Sequence, residues 1–116
     1  MDNQIIKLMV EIAKDYADWR SRSEYGSEND YQHMLDNLRV EEGRKYLKIT
    51  QTLLGQETVW GFVVKEDQPV KAGRHTFKKG DILKAASWSA PAVNKPRGNI
   101  MQGDFSWVRW TGPEYL

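Results

Sequence analysis

The spacing of apolar residues changes at Gly43, and this change most constrains the fold. Before it, residues 3–20 (NQIIKLMVEIAKDYADWR) place apolar side chains on one helical face, at Ile5, Leu8, Ile12 and Tyr16. After it, residues 44–54 (RKYLKITQTLL) alternate apolar and polar side chains with the period of a strand. A chain that is first helical and then extended is predicted to be an α+β protein.

Capping and turn residues predict where the remaining elements begin and end. Ser27 is a suitable N-cap for a second helix, and Gly43 is a suitable C-terminal glycine, so the two helices are expected to form a hairpin. A small antiparallel sheet of four or five strands is predicted to follow. Its segments are residues 44–54, 58–65, 74–77, 81–88 and 105–110. Gly61, inside the second segment, predicts a bulge or a close backbone approach.

The 116 residues predict a single domain with two unlike parts. Residues 1–42 hold five basic and ten acidic side chains, and residues 43–116 hold twelve basic and six acidic ones. The helical hairpin, residues 1–43, is predicted to mediate oligomerisation, and residues 44–116 form the sheet part with a binding loop at residues 89–99. Opposite charges allow the two parts to attract each other, allow the basic part to face an anion, or simply leave two solvated faces.

Composition excludes several classes of protein. The chain has no cysteine, so disulfides, thiolate catalysis and cysteine-ligated zinc are ruled out. Neither an apolar run of membrane-spanning length nor a secretory signal is found, and the expectation is an intracellular protein without a membrane.

Residues suited to catalysis are few. The two histidines, His33 and His75, lie in different predicted elements and are expected at the surface. Neither metal-ligand spacing nor a phosphate-loop motif occurs. We therefore expect a protein that is not an enzyme and that needs neither a metal nor a cofactor.

The strongest candidate for binding is the loop at residues 89–99. Arg97 offers a planar fork to a phosphate, Gly98 lets backbone amides approach a ligand, and Asn94 and Asn99 offer donors and acceptors. The alternative is a solvated turn held by its own asparagine side chains.

Aromatic residues extend this candidate site. Trp88 ends a predicted strand where it enters the loop, so its ring is available to stack on a base. In the last predicted strand, Phe105, Trp107 and Arg109 share one face. That face is either a cation–π contact in a packed sheet or the floor of a pocket for an aromatic anion.

The run GDILKAASWSAPA (residues 80–92), followed by Asn94 and by Arg97-Gly98-Asn99, resembles a pattern of small phage-encoded proteins. It is similar to the phage Thoeris anti-defence proteins of the first type, and the similarity covers residues 78–113. Those proteins are symmetric oligomers with a helical N-terminal part and a β-sheet core. They bind cyclic ADP-ribose isomers made by bacterial TIR-domain enzymes and hold them uncleaved, and some members also take up cyclic oligonucleotides.

The resemblance implies the ligand-binding residues Trp88, Asn94, Arg97 and Asn99. Arg109 is added from the face argument, and Trp19 and Arg20, at the end of the first helix, are added as contributions from a neighbouring subunit. The implied partners are a cyclic ADP-ribose-type signal, cyclic di- or trinucleotides, and other copies of the chain in a homodimer or a larger oligomer such as a hexamer. The implied location is the cytoplasm of the infected bacterial host.

The expected function is therefore sequestration of a cyclic nucleotide signal, which would silence Thoeris defence. The alternative is a non-enzymatic phage accessory protein that binds host protein or nucleic acid through its basic sheet part. A third class, a phosphoesterase that degrades the signal, is disfavoured by the lack of catalytic groups.

Overall fold

The structure is a computed structural model that describes residues 2–68 and 75–114. It confirms the α+β class: two helices precede a four-stranded antiparallel sheet, and a two-stranded hairpin follows. The helices are α1 (Asp2–Ser21) and α2 (Asp30–Asp36), and a 3₁₀ turn covers Ile100–Gln102. The strands are β1 (Leu38–Glu42), β2 (Tyr46–Leu53), β3 (Gln56–Val64), β4 (Ile82–Leu83), β5 (Val108–Arg109) and β6 (Gly112–Pro113).

Helix α1 follows its apolar period. Leu8, Ile12 and Tyr16, spaced four residues apart, are buried against the sheet, and Ala13 joins them. Burying each large side chain contributes about 1.5–3 kcal/mol. Helix α1 is therefore fixed by tertiary packing, and its last turn is held where Trp19 and Arg20 can contact other elements.

Helix α2 ends earlier than predicted. It stops at Asp36, and residues 38–42 form β1 instead of continuing the helix to Gly43. The Asn37 carbonyl accepts a hydrogen bond from Thr52 N–H at 3.0 Å, which turns the chain into the sheet. Gly43 lies in the turn to β2, where its N–H donates to the Tyr46 carbonyl at 2.9 Å.

The sheet is a meander with the order β1-β2-β3-β4. Register shifts once, because Ile49 pairs with Gly61 while Thr50 pairs with Val59, which leaves Trp60 as the extra residue of a bulge. A Cβ on Gly61 would lie 2.9 Å from the Leu83 carbonyl oxygen. The bulge and the close backbone approach predicted from Gly61 are both confirmed.

Both faces of the sheet carry apolar residues. One face packs on the helices and forms the main core, with Leu47, Ile49, Trp60, Val63 and Ile82 from the sheet. The other face carries a smaller cluster of Phe62, Val64, Phe77 and Leu83, with Tyr46, Val59 and Ala85 at its margin. The four central residues of this cluster are buried, and the three at its margin are half-buried.

The C-terminal strands are shorter than predicted. Of residues 81–88 only Ile82–Leu83 is a strand, and of residues 105–110 only Val108–Arg109 is. Asp104 accepts hydrogen bonds from the N–H and hydroxyl of Ser106, which makes a turn before β5. Of the predicted strand at residues 74–77, Arg74 lies outside the described residues and His75 forms an isolated bridge.

No helix in residues 2–68 and 75–114 is long and apolar enough to cross a membrane. Within the same ranges, no three His, Asp or Glu side chains are grouped so that they could hold a metal ion.

Candidate ligand-binding surfaces

Arg97, the predicted phosphate ligand, is inside the protein. Its side chain is 2% exposed. Nε donates to the Glu114 carbonyl at 3.1 Å, and Nη1 donates to the Lys95 carbonyl at 3.0 Å and to Asn94 Oδ1. Burial lowers the pKa of the Arg97 guanidinium from its ordinary value. In this conformation Arg97 ties the loop to the C-terminal segment.

Asn99 is also structural in this conformation. It is 5% exposed, and its Oδ1 accepts from Met101 N–H (2.8 Å) and Gln102 N–H (3.1 Å), which caps the 3₁₀ turn. Its Nδ2 donates to the Lys79 carbonyl at 3.0 Å and to Asp81 Oδ1 at 2.9 Å. Both donors and the acceptor of this carboxamide are therefore engaged inside the fold.

The backbone of the Arg97-Gly98-Asn99 motif covers the outer edge of β4. Arg97 N–H donates to the Ile82 carbonyl at 2.8 Å, and Ile82 N–H donates to the Gly98 carbonyl at 3.0 Å. Gly98 has φ +103°, and a Cβ there would lie 2.5 Å from the Asp104 carbonyl oxygen. The motif thus packs against the protein itself, and its central position, Gly98, requires glycine.

Lys84 is the second cation beside this loop. Its Nζ donates to the Pro113 carbonyl at 2.8 Å. Burial, and secondarily the positive charge of Arg97, lower the pKa of Lys84 from its ordinary value of 10.5. Lys84 and Arg97 together bind two successive carbonyls of the C-terminal segment, those of Pro113 and Glu114.

Trp88 lies at the tip of an excursion that leaves the sheet after Lys84 and returns at Ala92, whose N–H donates to the Lys84 carbonyl at 2.7 Å. The indole is 49% exposed, and Lys48 Nζ lies 3.7 Å from its ring centroid. Beside it, an open cleft of about 400 Å³ on the second sheet face is lined by Tyr46, Lys48, Phe62, Ser89 and the β1–β2 turn. We call this the sheet-face cleft.

Trp19 and Arg109 line a second cleft of about 310 Å³ between α1 and the β5–β6 hairpin. Its other lining residues are Asp15, Arg22, Trp110 and Thr111, and we call it the tryptophan cleft. The Trp19 ring is 48% exposed and lies 4.8 Å from that of Trp110, measured between centroids. Tyr16 makes a T-shaped contact with Trp110, with 5.3 Å between the ring centroids.

The cations of the tryptophan cleft are held by weak, exposed ion pairs. Arg22 contacts Asp18 at 3.0 Å with both side chains about 70% exposed (69% and 70%), and Arg109 contacts Glu114 at 2.8 Å with 46% and 41% exposed. Exposed pairs of this kind contribute about 0–1 kcal/mol. Both guanidinium groups can therefore exchange partners at little cost.

Arg20 points elsewhere. Its Nη2 donates to the Tyr25 carbonyl at 2.6 Å, and its Nε lies 3.4 Å from Asp30 Oδ1. These contacts hold the connection between α1 and α2, and Arg20 does not line the tryptophan cleft. Of the two α1 residues proposed for the site, only Trp19 lies there.

The predicted face of Phe105, Trp107 and Arg109 is not formed, because the strand begins only at Val108 and residues 106–107 are a turn. Each side chain has a separate partner instead. Lys7 Nζ lies 5.7 Å from the Phe105 ring centroid, Lys95 Nζ lies 5.3 Å from that of Trp107, and Arg109 pairs with Glu114.

The seven predicted residues thus separate into four places, and Arg20, in the connection between α1 and α2, stands apart from the other six. Asn94, Arg97 and Asn99 belong to the loop that packs the C-terminal segment, Trp88 borders the sheet-face cleft, and Trp19 meets Arg109 in the tryptophan cleft. Sequence reasoning missed Arg22 as a site residue, although it directly follows α1 and its spacing of three from Trp19 is that of neighbours on one side of a helical turn. Lys48 under Trp88 has no local sequence signal, since the two are 40 residues apart.

Comparison with known proteins gives one match. Searches of curated proteins and of solved structures return no significant similarity. Residues 2–112, nearly the whole chain, match a family of unknown function, DUF7717, and the chain belongs to this family.

Proposed function

We propose that this protein binds and sequesters a cyclic ADP-ribose isomer without cleaving it, and so blocks TIR-based Thoeris signalling in the cytoplasm of an infected bacterial host. The proposal combines the resemblance of residues 78–113 with the tryptophan cleft. The observation that carries it is the meeting of Trp19, Trp110, Arg22 and Arg109 around one opening.

The cleft supplies what such a ligand requires. A cyclic ADP-ribose isomer has one adenine, two riboses and a pyrophosphate. The exposed face of Trp19 can stack on the adenine, and Trp110 supports that ring from behind. Arg22 and Arg109 can leave their exposed carboxylate partners for the pyrophosphate, which takes two cations better than one.

The carboxylates beside the cleft favour a small nucleotide over a nucleic acid. Asp15 and Asp18, with Glu11 and Ser106, line the adjoining depression near Arg109. Carboxylates accept hydrogen bonds from ribose hydroxyls but repel a continuous run of phosphates. This mixture suits a ligand with many hydroxyls and only two charges.

Binding without cleavage is supported by what lines the two clefts. Neither His33 on α2 nor His75 is among the residues lining the tryptophan cleft or the sheet-face cleft. Sequestration requires only a stacking ring, cations and amides, whereas hydrolysis also requires a general acid or base near the scissile bond. The carboxylate that lines the tryptophan cleft, Asp15, already accepts the Trp110 N–H.

The proposal is tested by recovering the ligand. The protein is saturated with each of several cyclic ADP-ribose isomers and with cyclic di- and trinucleotides, washed, and denatured by heat, and the released compound is identified by mass. Release of an intact cyclic ADP-ribose isomer supports sequestration, and a hydrolysed product contradicts it.

The dependence of binding on salt concentration distinguishes the accessory-protein alternative from sequestration of a nucleotide. Binding across many phosphates of a nucleic acid weakens steeply with ionic strength, whereas a ligand with one pyrophosphate depends on salt only shallowly. Steeply salt-dependent binding of an oligonucleotide, without retention of any cyclic ADP-ribose isomer, would replace the proposed function with the alternative.

A further inference from the structure

The two edges of the four-stranded sheet differ in whether their outward backbone groups are hydrogen-bonded. The β4 edge is covered, because the Arg97–Gly98 backbone bonds to both polar groups of Ile82. Strand β1 occupies the other edge, and no strand among the described residues pairs with its outer side. Arg39, Val40, Glu41 and Glu42 are all exposed, with Val40 at 37%. An edge of this kind is a template for another strand.

The alternation of hydrogen bonds shows which backbone groups face outward. Antiparallel pairs alternate between bonded and non-bonded positions. Asn37 accepts from Thr52 N–H and Gly43 donates to the Tyr46 carbonyl, so the odd-numbered residues of this stretch bond inward to β2. The N–H and C=O of Leu38, Val40 and Glu42 therefore point to the open edge.

The sequence of β1 is complementary to itself in one register. When two copies of Leu-Arg-Val-Glu-Glu pair antiparallel about a two-fold axis at Val40, Val40 faces Val40 and Leu38 faces Glu42, and each such pair exchanges two backbone hydrogen bonds. Arg39 then lies opposite Glu41, in the non-bonded position where side chains are closest.

Other registers lose this complementarity. With the axis at Glu42, the two Glu42 carboxylates oppose each other and Glu41 faces Gly43. With the axis at Leu38, Arg39 faces Asn37 and its charge is unpaired. An axis at Arg39 or Glu41 would bring together residues whose backbone N–H and C=O groups point inward to β2.

We propose that β1 pairs with β1 of a second copy of this chain, in the register centred on Val40, to form a dimer with a continuous eight-stranded sheet. In the single chain, Arg39 Nη1 donates to the Asp36 and Leu38 carbonyls at 2.6 and 2.9 Å, and so covers part of the open edge. On pairing, the Leu38 carbonyl takes the Glu42 N–H of the other copy, and Arg39 turns to Glu41 of that copy. Glu41 is free to respond, since its contact to Lys48 is long, at 4.0 Å.

This interface is independent of the proposed nucleotide function. No residue of β1 lines the tryptophan cleft. Ligand retention by the variants below is therefore expected to equal that of the unmodified chain, and a failure of either proposal leaves the other standing.

Charge reversal tests the register. Sedimentation is measured at protein concentrations up to about 0.5 mM, where an interface at the small end of the size range assembles. The unmodified chain is expected to dimerise, and Arg39→Glu and Glu41→Arg are each expected to be monomers, because like charges then face each other. The double variant is expected to dimerise again, and a 1:1 mixture of the two single variants is expected to form a heterodimer.

Val40→Pro tests the backbone without changing charge. The Val40 N–H is on the open side, where proline is tolerated in an edge strand, so the monomer should unfold at the same denaturant concentration while dimerisation is lost. A chain that stays monomeric throughout the concentration range overturns the proposal. So does dimerisation of both single charge variants and Val40→Pro at the strength of the unmodified chain.

Discussion

The indole rings of Trp19 and Trp110 lie 4.8 Å apart, at an angle of 41°, although 91 positions separate them in the sequence. Trp110 is held there by its own backbone: its N–H donates to Asp15 Oδ2 at 2.8 Å. Asp15 is one helical turn before Trp19 on α1, so one face of α1 both carries the exposed ring and positions its support. The candidate site is therefore made by docking the β5–β6 hairpin on α1.

This docking predicts a role for the Asp15 carboxylate. Asp15→Ala leaves the Trp110 N–H without its acceptor and is expected to lower the free energy of unfolding by about 1–2 kcal/mol. Asp15→Asn keeps an acceptor oxygen and is expected to lose less than half as much. Urea unfolding followed by tryptophan emission measures both, and equal losses in the two variants would show that the hydrogen bond is not the cause.

Substitutions of Arg97 and of Arg109 are expected to differ sharply in their effect on the stability of the protein. Arg97→Met removes a buried guanidinium together with its part-buried hydrogen bonds to the Glu114 and Lys95 carbonyls and should cost on the order of 2–4 kcal/mol. Arg109→Met removes an exposed ion pair and should change stability by less than about 0.5 kcal/mol. Urea midpoints decide the matter, and a similar small effect for both would contradict the buried role of Arg97.

Asn99 is expected to matter more than Asn94. Asn99→Ala removes the cap of the 3₁₀ turn and the partner of Asp81, a loss of about 2 kcal/mol. Asn94 is exposed, and its carboxamide oxygen accepts a hydrogen bond from Arg97, so Asn94→Ala serves as the milder matched variant. Thermal unfolding compares them, and an Asn94→Ala loss as large as that of Asn99→Ala would overturn this ranking.

Lys84 predicts a dependence of stability on pH. The pKa of Lys84 is lowered in the folded state. Between this lowered pKa and the ordinary value of 10.5, the Lys84 side chain therefore holds more protons in the unfolded chain than in the folded one. Stability therefore rises with pH in that window. The stability of the unmodified chain relative to Lys84→Met should increase from about pH 8 to about pH 10. Urea unfolding at both pH values tests this, and a constant or falling difference would contradict it.

The sequence predicted those elements whose periodicity is long enough to read. Eighteen residues of helical spacing predicted α1, and alternation predicted β2 and β3. Strand β1 was missed because its five residues follow a helix directly and three of them are charged. The two-residue strands β4 and β5 are too short for any period.

Residue types alone were a poor guide to the orientation of the loop. Arg97 and Asn99 have the chemistry of a phosphate and base site, but the same donors satisfy backbone carbonyls and amides of the protein itself. Whether such a side chain faces outward depends on the C-terminal segment that packs against it. The meeting of Trp19 with Arg109 likewise depends on tertiary docking, which spacing along the chain does not record.

The most direct test of the proposed function is calorimetric titration of Trp19→Ala and Trp88→Ala with a panel of cyclic ADP-ribose isomers. Both residues are half-exposed tryptophans, but only Trp19 lines the tryptophan cleft, so Trp88→Ala is the matched control. We predict that the unmodified chain binds at least one isomer. Trp19→Ala should weaken that binding at least tenfold, consistent with a lost stacking contact of about 1–3 kcal/mol, whereas Trp88→Ala should leave it unchanged. Unchanged affinity in Trp19→Ala, or loss of binding in Trp88→Ala alone, would contradict the assignment of the ligand to the tryptophan cleft.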